Sequence, residues 1–246
     1  MLSVSKSGGE EESLSSSVSL ENIIFRWPGQ NKPVLDIPSF TVQKGEHVFI
    51  AGPSGSGKST LLGLIAGILT PSTGSVRVNN ICLNELSGAE RDTFRGDHIG
   101  FIFQQFNLIP YLSVLENVLI PCRFSSLRYK KAQEHSESIM QMAETLLKRL
   151  DLSPALWHQK AHKLSVGQQQ RVAAARALIG TPSILIADEP TSSLDTDRRR
   201  DFLHLLLKEC TQTQSTLLFV SHDQSIMEDF SRIVHLTELN QQAKEI

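Results

Sequence analysis

Residues Gly52-Pro-Ser-Gly-Ser-Gly-Lys-Ser-Thr60 lie between two apolar runs, His47-Val-Phe-Ile-Ala51 and Leu61-Leu-Gly-Leu-Ile-Ala66. No other stretch constrains the fold as much, because a glycine-rich turn in that context has the form of a phosphate-binding loop joining a buried strand to a buried helix. Gly52, Gly55 and Gly57 let successive N–H groups converge on one concavity at the positive end of the helix, and the loop as a whole, with Pro53, Ser54, Ser56 and Thr60, is the candidate cradle for phosphate oxygens. Lys58 would add a mobile cation for the β- and γ-phosphates, and Ser59 a hydroxyl ligand for Mg²⁺. A Gly/Ser-rich linker matching by accident would not be bracketed by such apolar segments. The expectation is a chain that binds a nucleoside triphosphate.

At 246 residues and 40% hydrophobic content, the chain can hold one large domain, or a core domain with an inserted subdomain. A net charge of −2 gives no bulk attraction to nucleic acid, so no nucleic-acid partner is expected. The basic residues are dispersed except for Arg198-Arg-Arg200, which reads as a solvated helix face. Cys82, Cys122 and Cys210 are odd in number and far apart, which fits packing residues in a reducing compartment rather than a disulfide framework. No stretch approaches the roughly 20 apolar residues that span a bilayer, so any membrane role needs another chain. Residues 1–19, rich in Ser, Gly and Glu, read as a disordered tail rather than a signal peptide.

Strand signals occur at Leu20-Glu-Asn-Ile-Ile-Phe-Arg-Trp27, around Phe40-Thr-Val-Gln43, at Ser75–Asn79 and at Ile99–Phe103, with a strong stop at Thr70–Gly74. From 107 to 163 they fade, and a long segment from Lys130 to Leu150 carries Ile139, Met142, Ala143, Leu146 and Leu150 at helical spacing. That region reads as an inserted helical subdomain. Strand character returns at Ser183–Ala187 and Thr216–Val220, around a helix containing Phe202, Leu203, Leu206 and Leu207. Buried strands alternating with helices predict a parallel α/β sheet with its ligand at the carboxyl ends of the strands. The expected domain runs over 20–236, with 237–246 as a C-terminal tail.

Ile184-Leu-Ile-Ala-Asp188-Glu189 ends a buried strand with two adjacent carboxylates, which on a strand point in different directions and can take different tasks. Asp188 is placed to hold Mg²⁺, and Glu189 to polarise a water in line with the γ-phosphate. Further on stand Leu164-Ser-Val-Gly-Gln168, followed by Gln-Gln-Arg171 and an alanine-rich helix, then Ser192-Ser-Leu-Asp195 and Phe219-Val-Ser-His-Asp223. In this order, from about Leu20 to Leu236, the set resembles the nucleotide-binding subunits of ATP-binding-cassette transporters.

The resemblance implies a phosphate-loop NTPase core with a mainly parallel sheet, an N-terminal antiparallel β-subdomain and the inserted α-helical subdomain. It implies ATP and Mg²⁺ as cofactors and Mg²⁺-dependent ATP hydrolysis as the activity, with Glu189, His222, Lys58 and Gln104 as catalytic residues. Gln104 would serve Mg²⁺ or the attacking water, with Gln105 as an adjacent rival, and His222 would bond the γ-phosphate. Ser165, Gly167 and Gln168 belong to the signature that meets the γ-phosphate of the opposite subunit in a head-to-tail homodimer, and Asp195 would lie at the dimer junction. Trp27 falls where the family has an aromatic that stacks on adenine, or it is a core anchor. Val166 stands where the family has a glycine; a β-branched residue there predicts a backbone in an ordinary region.

The implied partner is a separate integral-membrane permease, and the implied location the cytoplasmic face of the plasma (inner) membrane. Phe103–Pro110, Val114–Val118 and Leu164–Arg171 look most like the branch serving lipoprotein release, macrolide export and cell-division complexes. Competing readings are a soluble ATPase sharing the signature without a permease, a small-molecule kinase, and a non-hydrolysing regulatory module.

Overall fold

The structure, a computed structural model, describes residues 16–134, 136–192 and 194–244. Strands β1 (Ser16–Phe25), β2 (Leu35–Gln43) and β3 (His47–Ala51) lead into α1 (Lys58–Ile65). There follow β4 (Thr73–Val78), β5 (Ile81–Cys82), α2 (Gly88–His98) and β6 (Ile99–Ile102). A helical stretch comprises α3 (Val114–Phe124), α4 (Ser126–Glu134) and α5 (Ile139–Arg149). The chain then continues through α6 (Val166–Leu178), β7 (Ile184–Asp188), α7 (Thr196–Thr213), β8 (Thr216–Val220), β9 (Arg232–His235) and α8 (Leu236–Leu239).

Two sheets form among the described residues. One is antiparallel in the order β2-β1-β4-β5. The other, in the order β6-β7-β8-β3-β9, is parallel throughout. Apart from His47, Asp188 and Thr216 at their ends, β3, β7 and β8 are apolar because successive side chains serve different cores. Phe49, Leu185, Ala187, Leu217 and Phe219 pack with the helical subdomain, α6 and α7. Val48, Ile50, Ile184, Ile186, Leu218 and Val220 pack with α1 and the antiparallel sheet. Cys82, Cys122 and Cys210 are free and buried.

Two expectations are corrected. β1 is already strand at Ser16 and pairs with Gln43 there, so residues 16–19 are not tail; residues 1–15 lie outside the described residues. Residues 237–244 are not a tail apart from the domain, since Asn240 is buried and bonded to β2. Within the segment from Lys130 to Leu150, α4 ends at Glu134 and Ser138 caps α5, its side chain accepting from Gln141 N.

Helix α6 is tied at several points. Arg128 of α4 is buried and donates from Nε to Ile179 O at 2.8 Å and from Nη2 to Ala177 O, capping the α6 C-terminus. Burial pulls that guanidinium down to about 10. Arg176 donates to Phe106 O (2.5 Å) and Asn107 O (2.7 Å), holding the loop that follows Gln104. Gln170, also buried, donates to Pro190 O at 2.8 Å, next to Glu189.

Candidate active site

Gly57, at φ 100°, is the N-cap of α1, a left-handed conformation that favours glycine, and no side chain caps this helix. Its first-turn N–H groups are thus left to a ligand. A cleft of about 570 Å³ opens over them. Ser54, Gly55, Gly57, Lys58, Ser59 and Thr60 form its floor. Trp27, Gln30 and Val34 stand at one wall and Gln104, Asp188, Glu189 and His222 at the other. Gln105 is not among the lining residues, which favours Gln104 of the two glutamines. Gly52, Pro53 and Ser56 belong to the loop but do not line the cleft. Ser56 Oγ is buried without a hydrogen-bond partner, and Gly52 packs against it so closely that a Cβ would lie 2.7 Å from Ser56 Oγ.

Lys58 is bonded within its own loop. Its Nζ donates to Gly52 O at 2.8 Å and Pro53 O at 2.9 Å, so the ammonium is folded back on its own loop. Ser59 Oγ donates to Asp188 Oδ2 at 3.0 Å. This hydroxyl–carboxylate pair is a hard-oxygen donor set that fits Mg²⁺. No cluster of three His, Cys, Asp or Glu placed to hold a metal ion occurs among the described residues, and the remaining ligands would be the Gln104 amide oxygen, phosphate and water.

Asp188 and Glu189 diverge, but not through strand alternation. β7 ends at Asp188, and Glu189 turns off it at φ 48°. Its N–H is held by Val220 O at 2.9 Å, which fixes this uncommon left-handed backbone. Glu189 Oε2 sits 2.7 Å from His222 Nδ1, so the candidate base and the candidate switch histidine are already in contact. His222 remains 67% exposed, able to swing toward a ligand. Asp223, beside it, pairs with Arg199, which also donates to Leu194 O at 3.0 Å. Arg199 is therefore not part of a solvated face.

Trp27 is 41% exposed, lines the cleft and makes a T-shaped contact with Phe25, ring centroids 5.0 Å apart. Ser165, Gly167, Gln168 and Asp195 lie outside the cleft. Ser165 caps α6: its Oγ accepts from Gln168 N, while Gln168 Oε1 accepts from Ser165 N at 2.9 Å. The hydroxyl proton of Ser165 and the N–H groups of Val166 and Gly167 remain at the helix start. Val166 is helical and half-exposed, in the ordinary backbone region expected. Asp195 caps α7, accepting from Arg198 N at 3.0 Å, and Ser193 of the same loop lies outside the described residues. Gln30 and Val34 were not marked by the sequence; both follow a Pro/Gly/Asn turn that carries no chemical motif.

Burial raises the Asp188 carboxyl above its ordinary value of 3.8, Ser59 opposes this by hydrogen bonding, and Glu189 adds to the rise. A raised folded pKa stabilises the fold while the carboxyl is protonated, and that contribution is lost as pH rises through the folded value. At pH 7 the ionised group therefore costs stability. Asp188→Asn is expected to raise the melting temperature of the nucleotide-free protein at pH 7 by about 2–4 °C. In a calorimetric pH series the gain should shrink as the pH falls toward 3.8.

A family model described as "ABC transporter" matches residues 35–192, and a second, described as "AAA domain, putative AbiEii toxin, Type IV TA system", matches residues 158–228. The chain is 42% identical over 200 residues to an uncharacterized ABC transporter ATP-binding protein, MJ0796, of Methanocaldococcus jannaschii, covering 81% of this chain and 83% of that one. It is 37% identical over 207 residues to the lipoprotein-releasing system ATP-binding protein LolD of Saccharophagus degradans, covering 84% and 87%. With the macrolide export ATP-binding/permease protein MacB of Burkholderia thailandensis the identity is 38% over 221 residues, covering 89% of this chain and 32% of MacB. A dimeric structure of MJ0796 in a post-hydrolysis state, bound to ADP and Pi, superposes with a TM-score of 0.75 at 37% identity, covering 89% of this chain and 93% of that one. By the family model that matches residues 35–192 and by relatives of 37–42% identity over most of both chains, the chain belongs to the ABC transporter family, as its ATP-binding, ATP-hydrolysing cassette.

Proposed function

We propose that the chain is the Mg²⁺-dependent ATPase subunit of an export- or extraction-type transporter, working on a separate membrane permease. The observation that carries the reading is the contact of Glu189 with His222 at the wall of the phosphate-loop cleft, with the signature helix start outside it. Trp27 stacks on adenine, and the α1 N-terminus and Lys58 take the phosphates. Ser59 and Asp188, with Gln104 as a further oxygen donor, would hold Mg²⁺, which would supply positive charge against the phosphates. Glu189 accepts a proton from the attacking water, and His222 moves from Glu189 to the γ-phosphate. Ser165 and Gly167 of a second copy, shaped by the Gln168 capping box, close the site, with Asp195 at the junction.

Gln170 and Arg176 tie α6 to the Glu189 and Gln104 loops, so closure at the nucleotide is felt by the helical subdomain. None of the described helices is long and apolar enough to cross a membrane. We infer a separate permease as the partner and the cytoplasmic face of the plasma (inner) membrane as the location. The lipoprotein-releasing and macrolide export names of LolD and MacB favour work on exported or extracted substrates. Tagged Glu189→Gln protein, loaded with ATP, should capture a polytopic membrane protein from detergent-solubilised native membranes, identified by mass spectrometry. Recovery of soluble partners alone, with ATP binding intact, would replace the permease reading by that of a soluble ATPase.

A further inference from the structure

The segment from Leu236 to Asn240 packs beside the phosphate loop and the start of β2. Leu236, at the start of α8, is fully buried beside the first residue of the phosphate loop: a Cβ on Gly52 would lie 3.5 Å from Leu236 Cβ. Asn240 is 3% exposed and turns its side-chain amide onto the start of β2. Oδ1 accepts from Asp36 N at 2.8 Å, and Nδ2 donates to Val34 O at 2.9 Å. These two main-chain groups bracket Leu35. β2 is the edge strand of its sheet, so one side-chain amide does for it what a neighbouring strand would do. The Asn240 N–H returns to Leu236 O at 2.8 Å, which joins the amide rigidly to the residue beside Gly52.

What Asn240 holds touches the other end of the loop. A Cβ on Gly57 would lie 2.8 Å from Leu35 Cδ2 and 3.4 Å from Val34 Cγ1. Val34 also lines the cleft, on the wall shared with Trp27 and Gln30, and its own N–H bonds Phe25 O at 2.8 Å, in the strand that leads to Trp27. The terminal segment therefore supports both ends of the loop, at Gly52 through Leu236 and at Gly57 through Val34 and Leu35.

We propose that Asn240 is a positioning residue for ATP binding, its amide clamp fixing the Val34–Asp36 strand start against Gly57 and so presetting the phosphate loop and the Trp27 wall. The inference rests on reading the cleft as the ATP site. Without the clamp, Asp36 N and Val34 O turn to water and the strand start must be ordered by the nucleotide, which lowers affinity. Glu189 and His222 stand at the ends of β7 and β8, which Asn240 does not touch, so the loss falls on KM rather than kcat.

The test uses the full chain with Asn240→Ala and the isosteric Asn240→Asp, which keeps an acceptor for Asp36 N and loses the donor to Val34 O. Equilibrium binding of a fluorescent ATP analogue, KM and kcat for ATP, and melting without nucleotide are measured together. Asn240→Ala should raise Kd and KM by about 5- to 20-fold, the scale of one to two net hydrogen bonds, and Asn240→Asp by at least as much, since its carboxylate would face Val34 O without a proton to share, with kcat within about twofold. A lowered melting temperature with wild-type Kd would mean a merely structural residue and overturn the proposal; should the alanine variant not fold, a folded Asn240→Asp protein with wild-type Kd overturns it equally. Lys58→Ala run alongside separates the two failures. If it abolishes binding while both Asn240 variants bind normally, the clamp alone is wrong; if it too binds normally, the assignment of the cleft falls and the clamp with it.

Discussion

Glu189→Gln should lower steady-state phosphate release by about 10²- to 10⁴-fold, the range for loss of a positioned general base, while leaving ATP affinity within about twofold. Glutamine has the same shape, and the backbone turn at φ 48° is held by the N–H bond to Val220 O, which the substitution does not touch. The amide can still bond His222. What it lacks is a lone pair basic enough to take a proton from water. Phosphate-release kinetics and equilibrium ATP binding on the same preparation distinguish these steps; a variant retaining more than about a tenth of wild-type turnover would remove Glu189 from the role of base.

Lys58→Ala should act one step earlier and raise the Kd for ATP by at least about 100-fold, roughly 2.7 kcal/mol. In the nucleotide-free chain the ammonium satisfies two loop carbonyls, Gly52 O and Pro53 O. Triphosphate oxygens offer stronger, charge-assisted bonds to the same ammonium, and the exchange draws Lys58 toward the cleft. Alanine leaves the two carbonyls to water and the phosphate charge without its cation. Lys58→Arg should not restore binding, because a planar guanidinium cannot occupy a pocket shaped for a point charge. Calorimetric titration with ATP checks both variants, and near-normal affinity in Lys58→Ala would contradict the assignment.

The parts of the fold most legible in the sequence are those buried on two sides. His47–Ala51 is read from its apolar run and is strand over those residues, because each side chain from Val48 to Ala51 enters one core or the other. β2 is read only from Phe40 onward, since Asp36 and Pro38 interrupt its first half; an edge strand accepts both. α2 carries no apolar stripe beyond Phe94, and its capping box at Ser87 and Glu90 is the stronger local signal. The motif residues are legible because each sits on a short element that carries its own pattern. Gln30, Val34 and Asn240 are not, for their roles come from a meeting of β2 with a segment 204 residues further along the chain. Arg199 was read as a solvated charge, and only the packing of α7 beside the His222 loop pairs it with Asp223.

Two chains should close on ATP, each cleft completed by the α6 start of the other. Light scattering of purified Glu189→Gln protein at saturating Mg²⁺-ATP measures that closure directly. A mass of about 55 kDa, twice the 27.3 kDa chain, returning to the single-chain value when ATP is removed, is the predicted result. A 27.3 kDa particle with ATP demonstrably bound would contradict it.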